Sequence, residues 1–94
     1  MSIAIFTRLH AKPGRRSDLL AVLDELARST RAEPGNEEFV THAARDNDDL
    51  VLGYERFIDE AAIEAHRATE AVARARAQLD ELLTEPPEIV YASD

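Results

Sequence analysis

The sequence contains no cysteine and no tryptophan, and it has only three glycines and four prolines. The absence of cysteine excludes a disulfide scaffold, a thiolate metal site, an iron–sulfur cluster and a thiol nucleophile. Basic residues are also scarce, because 11 Lys and Arg stand against 19 Asp and Glu, which gives a net charge of −8. Phosphate binding depends mainly on clustered Lys and Arg, so we expect neither a nucleic acid nor an anionic membrane as a partner.

Long apolar segments are missing as well, and no run approaches the ~20 residues of a membrane-spanning helix. The segment from Met1 to Phe6 has neither the basic leader nor the apolar core of a signal peptide, so we expect a cytoplasmic protein. The 94 residues are 45% hydrophobic and 32% charged, which is the balance of a folded domain. No segment has the composition of a linker, and residues 1–94 are therefore predicted to form a single domain.

Hydrophobic periodicity predicts four strands separated by helical segments. The predicted strands are Ile3–His10, Glu38–Arg45, Leu50–Phe57 and Glu88–Ala92. A first helix is predicted to begin with Ser17 as its N-cap and to end at residues 33–35. A second helical region is predicted to begin with Asp59 as its N-cap and to kink or restart at Thr69.

The resulting element order is β-α-β-β-α-β, the split βαβ pattern of the ferredoxin-like α+β fold. This fold is a four-stranded antiparallel sheet with both helices on one face. The opposite face of the sheet would then be uncovered, although the strands carry more apolar side chains than two helices can bury. We therefore predict a homodimer in which two sheets close on each other to form a dimeric α+β barrel. A monomer with a polar outer sheet face is the alternative.

Several short motifs follow one another along most of the chain. They are Lys12-Pro13-Gly14, Glu33-Pro34-Gly35, Tyr54-Glu55-Arg56-Phe57, Asp59-Glu60-Ala61-Ala62, Ala65-His66 and Leu82-Leu83 before Pro86-Pro87. Their order and spacing resemble the antibiotic biosynthesis monooxygenase family over about nine-tenths of the sequence. The resemblance implies a dimeric barrel of ferredoxin-like subunits with a pocket between helices and sheet. Members of this family include cofactor-independent quinol and polyketide monooxygenases, haem-degrading enzymes and an isomerase of a signalling sugar phosphate.

The resemblance also assigns roles to individual residues. Glu55 matches the glutamate of the family's tyrosine-glutamate strand signature, and His66 matches the histidine that follows the small-residue start of the helix. Two positions depart from the family pattern, because Phe57 stands where a tryptophan is common and Ala71 stands where many members have a second histidine. The first strand lacks the asparagine of the haem-degrading members, so we do not expect haem degradation.

His66 is the predicted catalytic residue, because histidine titrates near neutral pH and a quinol must lose a proton before it reacts with oxygen. The alternative is a structural histidine that packs against the sheet and is hydrogen-bonded to Glu55. Glu55 itself either orients His66 or pairs with an arginine. The predicted substrate-binding residues are Glu55, Phe57, Tyr54 and Val72. For Tyr54, packing in a dimer interface is the favoured alternative.

No metal site is predicted, because His10 and His42 lie on strands and their separations from His66 match no local ligand spacing. Arg8 and Arg56 are predicted to pair with carboxylates of this acidic chain, although either could hold an anionic group of a substrate. The arginines of the second helical region are interpreted as part of a solvated helix face. They are Arg67, Arg74 and Arg76.

The sequence therefore predicts a cofactor-independent monooxygenase that acts on a quinol or a polycyclic phenolic substrate. It contains no dinucleotide fingerprint and no phosphate loop, so the substrate would supply the electrons that reduce oxygen. The protein would provide an apolar pocket for a small aromatic or hydrophobic molecule, His66 as the base, and the exclusion of bulk water. Two alternatives stay open: a non-catalytic small-molecule-binding barrel, and a proton-transfer isomerase that uses His66.

Overall fold

The structure is a computed structural model that describes all residues from 1 to 94. Its four strands and three helices are β1 (Ile3–His10), α1 (Arg16–Arg31), β2 (Asn36–Ala43), β3 (Leu50–Phe57), α2 (Glu60–Arg67), α3 (Glu70–Leu82) and β4 (Glu88–Ser93). The strands form one sheet in the order β2-β3-β1-β4, and every neighbouring pair is antiparallel. The ferredoxin-like α+β fold predicted from the sequence is therefore confirmed. None of the three helices has the length and hydropathy that a membrane crossing requires.

The start of α1 differs from the prediction. The helix begins at Arg16, and Arg15 occupies the N-cap position without a capping side-chain hydrogen bond, so Ser17 lies inside the helix. The Arg16 guanidinium donates a hydrogen bond of 2.8 Å to the backbone carbonyl of Asn47 in the turn between β2 and β3. This contact between segments far apart in sequence fixes the first residue of the helix, and local capping preference does not reveal it.

The second helical region consists of two separate helices, which confirms the restart predicted at Thr69. The Asp59 side chain accepts a hydrogen bond of 2.9 Å from the backbone N–H of Ala62 at the start of α2. Thr69 Oγ1 does the same for the N–H of Val72 at the start of α3, at 3.3 Å. Each helix thus has its own N-cap, which satisfies an N–H group that the first turn leaves without a partner.

The start of β2 also differs from the prediction, since it lies at Asn36 and not at Glu38. The register against β3 shifts between these two residues, which is the signature of a β-bulge. The Asn36 side-chain amide donates hydrogen bonds to the backbone carbonyls of Glu38 and Arg56. A polar residue that sequence patterns assign to a turn is thereby incorporated into the strand. The strand then ends at Ala43, two residues before the predicted end.

The helix-facing side of the sheet carries two separate apolar clusters. One cluster consists of Leu9, Ala11, Leu19, Leu23, Val51 and Leu83. The other consists of Ile5, Phe57 and Ile63. Between the row that pairs Leu9 with Val51 and the row that pairs Ile5 with Glu55, the strands bring Thr7 opposite Gly53. Small and polar residues therefore separate the two clusters, and a cavity lies above them.

The outer face of the sheet has no helix over it. The register aligns four residues straight across the four strands on this face, in the order Val40, Tyr54, Phe6 and Val90. Phe6 and Val90 are 49% and 62% exposed. The Phe6 and Tyr54 rings are in contact, with their centroids 5.1 Å apart. This row, called here the outer apolar row, is flanked by polar and charged residues that include Arg8, His42 and Arg56.

Candidate active site in the helix-facing cavity

A cavity of about 180 Å³ lies between the sheet and the three helices, and 13 of its 21 lining residues are hydrophobic. Its floor is made of two rows of residues aligned across the sheet. The first row is Thr41, Gly53, Thr7 and Ile89, and the second row is Phe39, Glu55, Ile5 and Tyr91. A dry apolar cavity of about 150 Å³ is large enough to bind benzene. The enclosed volume therefore accommodates one aromatic ring.

Gly53 gives this floor its shape. A Cβ atom at residue 53 would lie 2.3 Å from Thr7 Oγ1, which is closer than such atoms approach in proteins. Because Gly53 has no side chain, the Thr7 hydroxyl can occupy the space above residue 53. Gly53 and Glu55 lie on the same face of β3 as the buried residues Val51 and Phe57, because successive side chains of a strand alternate between its two faces.

His66 lies in the last turn of α2 and is 8% exposed. Its Nδ1 atom is 3.1 Å from each carboxylate oxygen of Glu33. The fully buried Phe57 packs against the imidazole, with ring centroids 5.0 Å apart. His66 is therefore held on one edge by a carboxylate and supported by an aromatic ring.

Glu33 reaches His66 because the turn after α1 packs tightly against α2. A Cβ atom at Gly35 would lie 2.3 Å from Cβ of Ala62, one helical turn before His66. The backbone carbonyl of Gly35 also accepts a hydrogen bond of 2.9 Å from the N–H of Ile58. The sequence Glu33-Pro34-Gly35 is thus an architectural element of the site, because its glycine permits the close approach that brings the carboxylate to the imidazole.

Glu55 lies on the other side of the imidazole, with its Oε1 atom 3.8 Å from His66 Nε2. Burial raises the pKa of the Glu55 carboxyl above its ordinary value, and the nearby Glu33 carboxylate acts in the same direction. His66 and Arg67 oppose this rise. Glu55 therefore retains its proton to a higher pH than an exposed glutamate does.

The Glu33 carboxylate defines the tautomer of His66. An ionised carboxylate only accepts hydrogen bonds, so the contact with Glu33 requires a hydrogen on Nδ1. In the neutral imidazole the Nε2 atom then carries the lone pair. Because His66 and Glu55 both line the cavity and Glu33 does not, the basic nitrogen is on the cavity side. The arrangement is that of a histidine base oriented by a carboxylate.

Not all of the predicted site residues meet at this cavity. His66, Glu55 and Val72 line it, whereas Phe57 is fully buried behind the imidazole and does not line it. The Tyr54 ring packs against Phe6 on the outer face of the sheet, so only its backbone borders the cavity. The roles of these residues in substrate binding stay predictions.

Glu33 is the residue of this site that the sequence analysis missed. It is separated from His66 by 33 positions along the chain. Its one sequence signal was its place in a motif that carried the family resemblance. Ala71, which stands where many family members have a second histidine, lines a small cleft against α1 with Val22 and Ser29 and does not reach the cavity.

The three histidines do not come together. His66 lies on the helix-facing side of the sheet, whereas His10 contacts Glu88 at 3.3 Å and His42 is exposed on the outer face. No group of three or more His, Asp or Glu is arranged to hold a metal ion. Glu33 and Glu55 approach opposite edges of the imidazole, so their oxygens do not converge with it on one point.

The structure thus defines a class of protein by its fold and its site: a ferredoxin-like domain with a carboxylate-bound histidine on the wall of an apolar cavity. Comparison with known sequences identifies the family. Residues 2–78 match the antibiotic biosynthesis monooxygenase family, and the chain belongs to it.

Individual relatives agree with this assignment. A Mycobacterium tuberculosis protein named "Putative monooxygenase Rv0793" is 37% identical over 84 residues, which cover 89% of this chain and 82% of the relative. The structure of Rv0793 superposes with a TM-score of 0.92 at 30% identity, covering 100% of this chain and 95% of the other. PA3566 from Pseudomonas aeruginosa superposes with a TM-score of 0.91 at 27% identity, covering 99% and 93% of the two chains.

Proposed function

We propose that this protein is a cofactor-independent monooxygenase that oxidises a quinol or phenolic substrate in the helix-facing cavity, with His66 as the base. The observation that carries the proposal is the His66–Glu33 contact of 3.1 Å at Nδ1, which leaves Nε2 on the cavity side. Membership of the antibiotic biosynthesis monooxygenase family and the name of the Mycobacterium tuberculosis relative support it. The enclosed volume fits one ring, so a polycyclic substrate would extend through the mouth.

The proposed reaction begins when His66 Nε2 takes the proton of a substrate hydroxyl. The phenolate gives one electron to O2, and the superoxide and the substrate radical combine to form a carbon–oxygen bond. Protonated His66 returns its proton to the peroxide. The O–O bond then breaks as the same carbon loses its remaining hydrogen as a proton, which leaves a carbonyl group and releases water. In sum, one CH2 carbon of the keto form and O2 become a C=O group and H2O.

The apolar lining of the cavity serves this chemistry in two ways. It holds an aromatic ring by excluding water from its faces, and it keeps water away from the radical pair. Fully buried Ile63 closes the cavity near His66, and Leu23 closes it from α1. The protein's contribution is thus positioning, deprotonation and exclusion of solvent.

The test is oxygen uptake by the purified protein with a panel of quinols and phenols, measured above the autoxidation background. His66→Ala should lower kcat by about a hundredfold or more, which is the usual contribution of a general base. His42→Ala is the matched control, because His42 is exposed on the outer face of the sheet and should leave kcat unchanged. Circular dichroism and the amide NMR spectrum would verify that each variant is folded.

Two results would overturn the proposal. Uptake that His66→Ala retains would remove His66 from the mechanism. Compounds that bind in the cavity without any oxygen uptake would indicate a non-catalytic binding protein. If His66 exchanges hydrogen between the solvent and such a compound, the protein would instead be a proton-transfer isomerase. Deuterium incorporation from D2O separates these two outcomes.

We also propose that the protein acts as a homodimer in which the outer apolar row of one chain packs against the same row of another. Phe6, Val90 and Tyr54 form a continuous apolar strip on a sheet face that no helix covers. The row is rimmed by charged side chains such as Arg56, which pairs with Glu37 at 3.5 Å. An apolar centre with a polar rim is the usual anatomy of a self-complementary interface.

A further inference from the structure

Two of the arginines that the sequence interpretation placed on a solvated helix face also line the cavity. Arg67 ends α2 and Arg76 lies on α3, and both are exposed at the opening of the cavity. Neither has a carboxylate within 4.0 Å, although the chain has 19 acidic residues. By contrast, Arg8 and Arg56 pair with carboxylates as predicted, and Arg74 pairs with Glu70.

Arg67 is held in place by an aromatic side chain. Its guanidinium carbon lies 5.4 Å from the centroid of the Tyr91 ring, and its Nη2 donates a hydrogen bond to the Tyr91 hydroxyl. Tyr91 belongs to the floor of the cavity, in the same row as Glu55 and Ile5. The guanidinium is therefore positioned at the β4 edge of the cavity, and its other N–H groups have no acceptor among the side chains.

Arg76 lies between the cavity and a neighbouring groove. Asp80 and Glu85 line that groove, but neither makes an ion pair with Arg76. Glu55 is the one acidic residue that lines the cavity, and its carboxyl group faces His66. Arg67 and Arg76 are thus the two cationic side chains of the cavity lining, and neither is neutralised by an ion pair.

We propose that the ligand of this cavity is an anionic aromatic compound, whose ring lies in the cavity and whose carboxylate, or a comparable oxyanion, binds Arg67 and Arg76. This inference deepens the proposed function and rests on it, because it names the substrate class of the same site. Guanidinium groups recognise carboxylates through paired charge-assisted hydrogen bonds. The net charge of −8 repels anions in general, so any preference for an anion has to come from local groups such as these.

The sheet sets the length of such a ligand. Glu55 on β3 and Tyr91 on β4 lie in one row with β1 between them. Neighbouring strands are about 4.8 Å apart, so the two residues are about 10 Å apart across the sheet. A ligand with a hydroxyl group near His66 and a carboxylate near Arg67 therefore carries these groups at opposite ends of its ring system.

The test uses two probes of the same shape, 6-hydroxy-2-naphthoate and its uncharged carboxamide. Binding is followed by amide NMR titration, and shifts of the Gly53 amide in the floor together with the Val72 amide of α3 locate the ligand in this cavity rather than on the outer face. The naphthoate should bind about tenfold more tightly than the carboxamide, which is the advantage expected of a charge-assisted pair. This preference should fall about threefold in Arg67→Gln and in Arg76→Gln and disappear in the double variant.

Arg74→Gln is the matched control, since it removes the same charge from α3 at a position that does not line the cavity. It should keep the full preference. Equal affinity of the two probes for the wild type, or a preference that the double variant retains, would overturn the anion site while leaving the proposed function standing. If neither probe shifts the Gly53 amide, both this inference and the proposed use of the cavity are wrong.

Discussion

The two ring nitrogens of His66 have different partners, and this difference is what the chemistry requires. Glu33 accepts at Nδ1, whereas Glu55 lies 3.8 Å from Nε2, beyond hydrogen-bond distance. A histidine bonded to carboxyl groups on both edges would have no free ring nitrogen to accept a proton from a substrate. The open Nε2 edge is the feature that favours the catalytic interpretation over the structural one, in which Glu55 was expected to hold the ring.

In the proposed mechanism Glu33 positions His66, so replacing Glu33 should change the rate of the reaction without preventing ligand binding in the cavity. Glu33→Gln should lower kcat about tenfold to a hundredfold with little change in KM, because a glutamine can also donate to Nδ1 and so stabilise the wrong tautomer. Glu33→Asp should recover part of the rate. Steady-state oxygen uptake over a range of pH is the measurement, and Glu64→Gln on the exposed side of α2 is the control. An unchanged pH profile would assign Glu33 a structural role only.

Glu55 should make the folded protein less stable at neutral pH than an uncharged residue would. The pKa of Glu55 is raised in the folded state, so the unfolded chain loses this proton at a lower pH than the folded chain does. The free energy of unfolding therefore falls as the pH rises from the unfolded-state pKa to the folded-state pKa. Glu55→Gln should therefore increase the free energy of unfolding at pH 8, and the gain should vanish below about pH 4, where both states are protonated. Urea unfolding at the two pH values measures it. A gain at pH 4 equal to that at pH 8 would show that folding does not raise the pKa of Glu55.

At the scale of elements, the contact between the α1–β2 turn and α2 is the feature on which the site depends. Gly35 has an ordinary backbone conformation, so its requirement for glycine comes from the approach of Ala62 and not from strain. Gly14 presents the reverse case, with φ at 77° and no atom within 4 Å of an added Cβ. Substitutions at the two glycines therefore distinguish the free-energy cost of backbone strain, at Gly14, from the cost of a steric clash, at Gly35.

Gly35→Ala should destabilise the protein by about 1–3 kcal/mol, because the added methyl group forces the turn and α2 apart. It should also lower kcat, since the same movement separates Glu33 from His66. Gly14→Ala should cost about 1–2 kcal/mol for its left-handed backbone and leave kcat unchanged. Urea unfolding together with oxygen uptake distinguishes the two. A Gly35→Ala variant with normal kcat would show that the site tolerates this displacement.

The sequence allowed the elements to be predicted better than the contacts between them. The four strands followed from hydrophobic periodicity, and the predicted restart at Thr69 coincides with the N-cap of α3. The predicted starts of α1 and β2 were wrong, because Arg16 and Asn36 bind backbone carbonyls of other segments. Glu33 and the two arginines of the cavity escaped prediction for the same reason, since their importance arises from pairs of elements and not from any local pattern.

At the scale of the whole molecule, the sheet separates two surfaces to which different roles are proposed. Its helix-facing side carries the cavity, whereas its outer side carries the outer apolar row. A dimer formed through the outer row would leave the cavity and its opening between helices and β4 unchanged. Binding and assembly should therefore be separable by mutation, because the side chains concerned alternate along the same strands.

Sedimentation velocity tests the homodimer, and the wild-type protein should sediment at twice the mass of the chain. Phe6→Glu places a charge at the centre of the outer apolar row of both chains, and it should weaken dimerisation by about a hundredfold or more because each charge would be buried without a partner. Ile58→Glu is the control, since Ile58 is 47% exposed and lies beyond the end of β3. A monomeric wild type, or a Phe6→Glu variant whose dimer dissociation constant equals that of the wild type, would exclude this face as the interface. If the dimer dissociates while ligand titration of the Gly53 amide is unchanged, the two faces of the sheet act independently.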